Sequence, residues 1–380
     1  MDWFAMISGA ASSFFLTVIS FLVVLSVVVF IHELGHFWVG RLCGVGVTVF
    51  SIGFGREIVG WTDRRGTRWK LAMIPLGGYV KFVGDLNAAS VPDQSQAGQM
   101  TPEERAVSFP HQSVAKRAAI VAAGPIANFI LAIAIFAGFN YFSGRQVLEP
   151  RIEAVQQGSA AEKAGFQPND LILTIDGRRI DTFADMQMIV SSSAGEALTF
   201  TVERNGQPVT LVATPNFEER TSPFGKQRIG LLGVQASRDP AAIKRLSYSP
   251  LGALKAGAVD TWNQVDRTFN FLRRLTLGRE SLDQLSGPVG IARVAGTAFE
   301  VGGIYTLVNL IGFMSVSIGL INLFPIPLLD GGHLLYYAIE AVRGRPLSDR
   351  AQEIGFRIGL AIVAMLMLVA TWNDLVRPFE

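Results

Sequence analysis

No charged side chain occurs between Trp3 and Ile31, and Phe14 to Ile31 (FFLTVISFLVVLSVVVFI) is apolar throughout. As a helix, a run of about 18 residues approaches the thickness of a bilayer's hydrocarbon, and few other folds can absorb it. Three more uncharged or nearly uncharged runs follow: Ala118 to Ser143, Val301 to Leu329, and Ile354 to Trp372, where Arg357 can snorkel to the interface. In lipid every backbone amide must be paired within the chain, so the simplest expectation is about four transmembrane helices. A cleavable leader is the competing reading of the first run. It needs a basic segment ahead of the apolar one, and no Lys or Arg precedes Arg41.

The rest of the chain is too polar for a bare helical bundle. Hydrophobic residues make up 49%, charged residues 17%, and the mean hydropathy is +0.35. Membrane spans joined to a soluble module fit that mixture. A net charge of +2 gives no support for a nucleic-acid partner. The single cysteine, Cys43, excludes an internal disulfide and a cysteine-based metal site. Arg41, Lys116 and Arg117 flank the first connection, and Arg343, Arg345 and Arg350 lie in the last. The positive-inside tendency then puts both connections in the cytoplasm, with the N-terminus, the segment 144–300 and the C-terminus outside. Arg377 opposes this orientation slightly.

Residues 147–214 read as a small β-rich module. Ser159-x-x-Glu162 predicts a capping box with Gly165 as the stop, and Thr182-x-x-Asp185 starts a second helix. Asp170 to Ile175 reads as a strand before an Asp176-Gly177 turn, and Asn205-Gly206 joins Leu198 to Arg204 with Val209 to Thr214 as a hairpin. The string AAEKAGFQPNDLILTIDGRRI resembles a PDZ domain of the bacterial protease type. That resemblance implies binding of a peptide ligand by strand addition; a folded spacer is the alternative. Beyond it, Leu251, Leu254, Ala258, Trp262, Val265, Phe269 and Leu272 form a helical apolar stripe, expected to face the membrane surface or the chain's own spans.

At the polar end of the first run stands His32-Glu33-Leu34-Gly35-His36. Residues four apart share a helix face, so both imidazoles can ligate one zinc ion with Glu33 beside them to take a proton from water. Charged and polar groups at that depth are costly unless they serve a site. Catalytic zinc usually takes a third protein ligand. His111 sits in a polar loop. The second polar cluster, Asn322-Leu-Phe-Pro325-Ile-Pro327-Leu-Leu-Asp330-Gly331-Gly332-His333, offers Asp330 as the natural third ligand and His333 as its rival.

Taken together, H-E-L-G-H and N-x-x-P-x-P-x-L-D-G-G resemble the site-2 protease family of intramembrane metalloproteases, most closely its bacterial regulator-of-sigma-E branch. The resemblance implies a polytopic α-helical membrane protein with a membrane-associated β-hairpin region at 45–84 and an inserted extracytoplasmic α+β PDZ domain. It implies an N-terminal membrane core at 1–143, the PDZ domain at 144–216, a linker with an amphipathic helix (250–275) at 217–300, and a C-terminal membrane core at 301–380. It assigns zinc to His32, His36 and Asp330, the catalytic base to Glu33, and substrate contact to Asn322. Gly124-Pro125-x-x-Asn128 resembles a further motif near the active site, so Gly124, Pro125 and Asn128 join the substrate-binding candidates. Ser286-Gly-Pro-Val-Gly-Ile291 also fits the branch, whereas one PDZ domain in place of a tandem pair departs from its best-known form. The implied location is the bacterial inner membrane, with a periplasmic PDZ domain and the active site towards the cytoplasm. The implied substrates are single-pass membrane proteins such as anti-sigma factors, or remnant signal peptides, cut in contact with membrane lipid. A non-catalytic PDZ scaffold and a metal transporter are the rival readings.

Overall fold

In the computed structural model, which describes residues 3–85, 100–222, 225–236, 243–276 and 286–376, the first apolar run and the His-Glu pair beyond it form one helix, α1 (Trp3–Leu42). Gly44, at φ 80°, turns the chain into a long antiparallel hairpin, β1 (Val47–Thr62) and β2 (Arg68–Phe82). Asp63 closes that hairpin by accepting the amide hydrogens of Arg65 and Thr67. A short helix, α2 (Pro102–Val107), leads to α3 (Val114–Phe142). Next come β3 (Arg145–Leu148), β4 (Ile152–Val155), α4 (Ala160–Ala164), β5 (Leu171–Ile175), β6 (Arg178–Arg179) and α5 (Phe183–Ser192). Then β7 (Leu198–Arg204), β8 (Gln207–Ala213), β9 (Asn216–Ser222), β10 (Gly225–Leu231), β11 (Val234–Ala236) and β12 (Ile243–Leu246) follow. The chain ends in α6 (Pro250–Thr276), α7 (Pro288–Asn322), α8 (Asp330–Arg343) and α9 (Asp349–Val376).

Among the described residues, four helices are long and apolar enough to cross a membrane: Ser13–Leu42, Val114–Phe142, Pro288–Asn322 and Arg350–Val376. The third differs from its sequence expectation of 301–329. It runs from Pro288 to Asn322 with a kink at Gly303, whose φ of 60° and ψ of -146° are not helical, so its unbroken part begins close to the expected start and it stops early, at Asn322. Proline disfavours helix at the residue before it, so Pro325 and Pro327 end the helix while the sequence is still apolar. At the other end Asp374 of α9 accepts the Gly290 amide hydrogen at 2.8 Å, giving α7 a cap that local sequence does not supply.

The chain divides into two compact units, one formed by 1–138 and 252–380 and the other by 139–251. In the first, small residues set the helix contacts, as lipid-embedded packing requires. A Cβ on Gly35 would lie 2.3 Å from the Ala123 carbonyl oxygen, so α1 and α3 touch backbone to backbone there. Val24 and Val28 of α1 pack against Ala295, Leu307 and Ile311 of α7. The β1–β2 hairpin places Phe50, Val80 and Phe82 in one cluster with Phe37, Ile120 and Tyr337.

Helix α6 buries only part of its apolar stripe, at Val265. Its buried face is Ala253, Thr261 and Val265 together with Gly257, while Leu251, Leu254, Trp262 and Phe269 are exposed. A Cβ on Gly257 would sit 2.6 Å from the Ala137 nitrogen. The missing side chain at Gly257 lets α6 approach α3 that closely, and Val265 joins Ala132 and Phe136 of α3 in one core.

The second unit is built on an antiparallel sheet in the order β6-β5-β7-β8. Ile152, Ile172, Ile175, Phe200 and Val202 are almost fully buried in its core. Each contributes about 1.5–3 kcal/mol by leaving water. Asn205 and Gly206 both take positive φ, the pattern of a tight hairpin turn. The Thr182–Asp185 cap is reciprocal. The Ser159 cap is only half a box, because the Glu162 carboxylate accepts from the Gly158 amide at 2.6 Å. The stretch after 216, expected as a linker, carries strands: β11 pairs with β4 and β12 with β3.

Candidate metal centre

His32 and His36 lie one turn apart on α1, both buried, with their Nε2 atoms 3.2 Å apart. Asp330, the first residue of α8, brings Oδ2 to 3.1 Å from His32 Nε2 and 3.5 Å from His36 Nε2. Tetrahedral zinc with bonds near 2.0–2.1 Å keeps its ligand atoms about 3.3 Å apart, so this triangle fits the ion. The chemistry fits as well. His36 Nδ1 donates to the Ile120 carbonyl oxygen at 2.9 Å, which leaves Nε2 with a lone pair turned toward the other two atoms. Asp330 Oδ2 is buried and receives no hydrogen bond. Lone pairs converge on one point, an arrangement that a cation relieves.

Helix α3 supplies the back wall. Gly124, Pro125 and Asn128 are all buried. The Asn128 amide lies 3.2 Å from His32 Nδ1 and leaves its own Oδ1 without a partner. A half-turn of that amide would put Oδ1 against Nδ1–H and satisfy both groups, fixing the tautomer that frees Nε2 for metal. The Pro125 carbonyl faces Gly319 of α7, where a Cβ would lie 3.2 Å away.

Asp330 reaches the histidines through a tightly folded loop. Leu328 takes φ 118°, a conformation that L side chains rarely adopt. The loop curls back over the start of α8, so a Cβ on Gly331 would lie 2.3 Å from the Leu323 and Phe324 carbonyl oxygens, and one on Gly332 2.4 Å from that of Ile326. Only glycine fits at either position. Asn322 is half-buried at the last residue of α7. His333 is outside the ligand cluster, with its ring edge-on to Tyr336 at 6.4 Å. Glu33 is buried beside the pair but is not among the three clustered groups. Gly78 of β2 lies against it, where a Cβ would be 3.1 Å from Glu33 Cγ. The contributions of Gly78 and the Ile120 carbonyl leave no local signature, since one acts by lacking a side chain and the other through its backbone.

Comparison with known proteins decides the lineage. The model of peptidase family M50 matches residues 20–366. The chain belongs to peptidase family M50. A Brucella suis protein designated a zinc metalloprotease is 48% identical, with 98% of each chain covered. The metalloprotease MmpA of Caulobacter vibrioides is 44% identical over 96% of both chains. The regulator of sigma-E protease RseP of Escherichia coli is 32% identical over 96% of this chain and 99% of its own. This M50 peptidase is a membrane zinc metalloprotease.

Proposed function

We propose that this M50 metalloprotease cuts single-pass membrane proteins inside the bacterial inner membrane, with His32, His36 and Asp330 holding zinc and Glu33 as the catalytic base. The observation that carries this reading is the convergence of His32, His36 and Asp330 from two helices, one of them long enough to span a bilayer. A zinc ion held by His32, His36 and Asp330 would supply Lewis acidity, lowering the pKa of a water towards neutrality and polarising a carbonyl oxygen. The Glu33 carboxylate takes the water's proton and returns it to the leaving amine. A substrate helix has its amides paired and shielded, so it must unwind before attack. An edge of the β1–β2 hairpin would then pair with the unwound strand, with Asn322 holding its backbone. Gly124 and Asn128 shape the histidine rings from behind.

The inserted unit is a PDZ domain in this reading, periplasmic, and takes up an exposed chain end. Candidate substrates are anti-sigma-factor-like proteins and remnant signal peptides; the relation to RseP supports this class. The active site faces the cytoplasmic side, following the Lys and Arg bias. A scaffold or a transporter is less favoured, because Glu33 lies beside the ligand cluster without joining it.

The test is Glu33→Gln in purified protein with a tagged single-span substrate. Cleavage should fall at least about 100-fold while zinc content stays at the wild-type level. Loss of zinc with loss of cleavage would make Glu33 a ligand, and retained cleavage would remove it as the base.

A further inference from the structure

Arg117 and Glu340 are far apart in sequence and close in space. Arg117 Nη2 donates to Glu340 Oε1 at 2.6 Å, and the two side chains are only 13% and 15% exposed. The guanidinium also lies 4.8 Å from the centroid of the Tyr337 ring, and its Nε donates to the Gln112 carbonyl at 3.1 Å. These contacts fix it in three directions. Arg117 stands in the first turn of α3, and Glu340 in the last turns of α8.

The same two helices both reach the metal centre through α1, Asp330 of α8 against His32 and His36, and Asn128 of α3 against His32. From Arg117 to Asn128, α3 rises about 16 Å, and from Glu340 back to Asp330, α8 rises about 15 Å. The lengths match, so the two helices run antiparallel with the ion pair at one end and the candidate ligands at the other. Between them, Tyr337 shares a core with Ile120 and Val121, and the Ile120 carbonyl holds the His36 ring. The start of α8 is held by the 323–329 loop, whose carbonyls close over Gly331 and Gly332, and the ion pair anchors the opposite end of the same helix.

We propose that the Arg117–Glu340 ion pair positions the metal centre: it fixes the register of α8 on α3, and with it Asp330 against His32 and His36. The two are positioning residues, remote from any reacting atom. A shielded ion pair is screened little by salt and demands a specific geometry, which suits it to setting register. The inference rests on the zinc-ligand reading above.

The experiment measures zinc affinity of the full chain in detergent by competition with a chromophoric chelator. Arg117→Met with Glu340→Leu removes both charges and leaves neither unpaired, so the fold should persist, as circular dichroism and a melting curve will report. Zinc affinity should fall about tenfold. In an Asp330→Asn background, the same pair of changes should cost nothing further, since the register no longer delivers a ligand. Wild-type affinity in the double variant overturns the proposal. An equal loss in both backgrounds also overturns it, because that is general loosening. Should the double variant not fold, Glu340→Asp shortens the pair by one methylene, and unchanged affinity there overturns the proposal too. Failure of the wild-type chain to bind zinc would sink the ligand reading along with this one, whereas tight wild-type binding with indifferent variants would sink this one alone.

Discussion

Gly124 and His36 face each other across a gap with no room for a methyl group: a Cβ at Gly124 would lie 2.3 Å from His36 Nε2 and 2.9 Å from His32 Cε1. Glycine inside a helix normally costs about 1 kcal/mol relative to alanine, so local propensity opposes it here. Gly124→Ala should therefore lower zinc affinity and cleavage at least tenfold, by displacing both rings. Gly138→Ala, on the same helix with nothing within 4 Å, should leave both unchanged. Zinc titration of the two variants checks the contrast, and equal behaviour would refute it.

Asn128 is fully buried with its amide on His32. Removing the oxygen that accepts from Nδ1–H should loosen the tautomer that ligates metal. Asn128→Leu should weaken zinc binding about 10–100-fold, and Asn128→Asp, which keeps an acceptor, should lose much less. Chelator competition distinguishes them. Identical losses would mean that volume, not the hydrogen bond, is what matters there.

Asp374 is 2% exposed and accepts the amide hydrogen of Gly290 at the start of α7. Asp374→Ala should cost about 1 kcal/mol, as loss of a helix cap does. The melting temperature in detergent should drop while zinc affinity holds. A parallel loss of zinc would tie this cap to the centre instead.

Metal bound only by the folded chain adds stability by mass action. At free zinc 100 times its dissociation constant the gain is about 2.7 kcal/mol. Chelation should lower the melting temperature of the wild type and abolish cleavage, and added zinc should restore both. The same treatment should barely shift His32→Ala. A chelator-independent melt for the wild type would argue against a structured zinc site.

The apolar runs and the His32-x-x-x-His36 spacing are legible because both are periodic, and a helix turns sequence spacing into geometry. The choice between Asp330 and His333 is not. They stand three apart at the start of one helix, and nothing local says which faces α1. The loop from Leu323 to Leu329, with Leu328 at positive φ and Gly331 and Gly332 under its carbonyls, aims Asp330 at the histidines. Helix α6 is legible as amphipathic, but which of its residues pack is not: Ala253, Gly257 and Val265 are buried while Leu251, Leu254 and Trp262 are exposed, and the close approach to α3 at Gly257 has no local signal.

The sequence by itself determined that this chain enters a membrane, that one helix carries two imidazoles on one face, and that a proline-broken segment carries an acid. Those are short-range consequences of burial cost, helical period and ring constraint. Only the tertiary structure decided which partners complete them: the Ile120 carbonyl behind His36, Asn128 behind His32, Asp374 at the head of α7, and Glu340 on Arg117. Each joins residues tens to hundreds of positions apart, and such contacts depend on how helices pack, which no local pattern encodes.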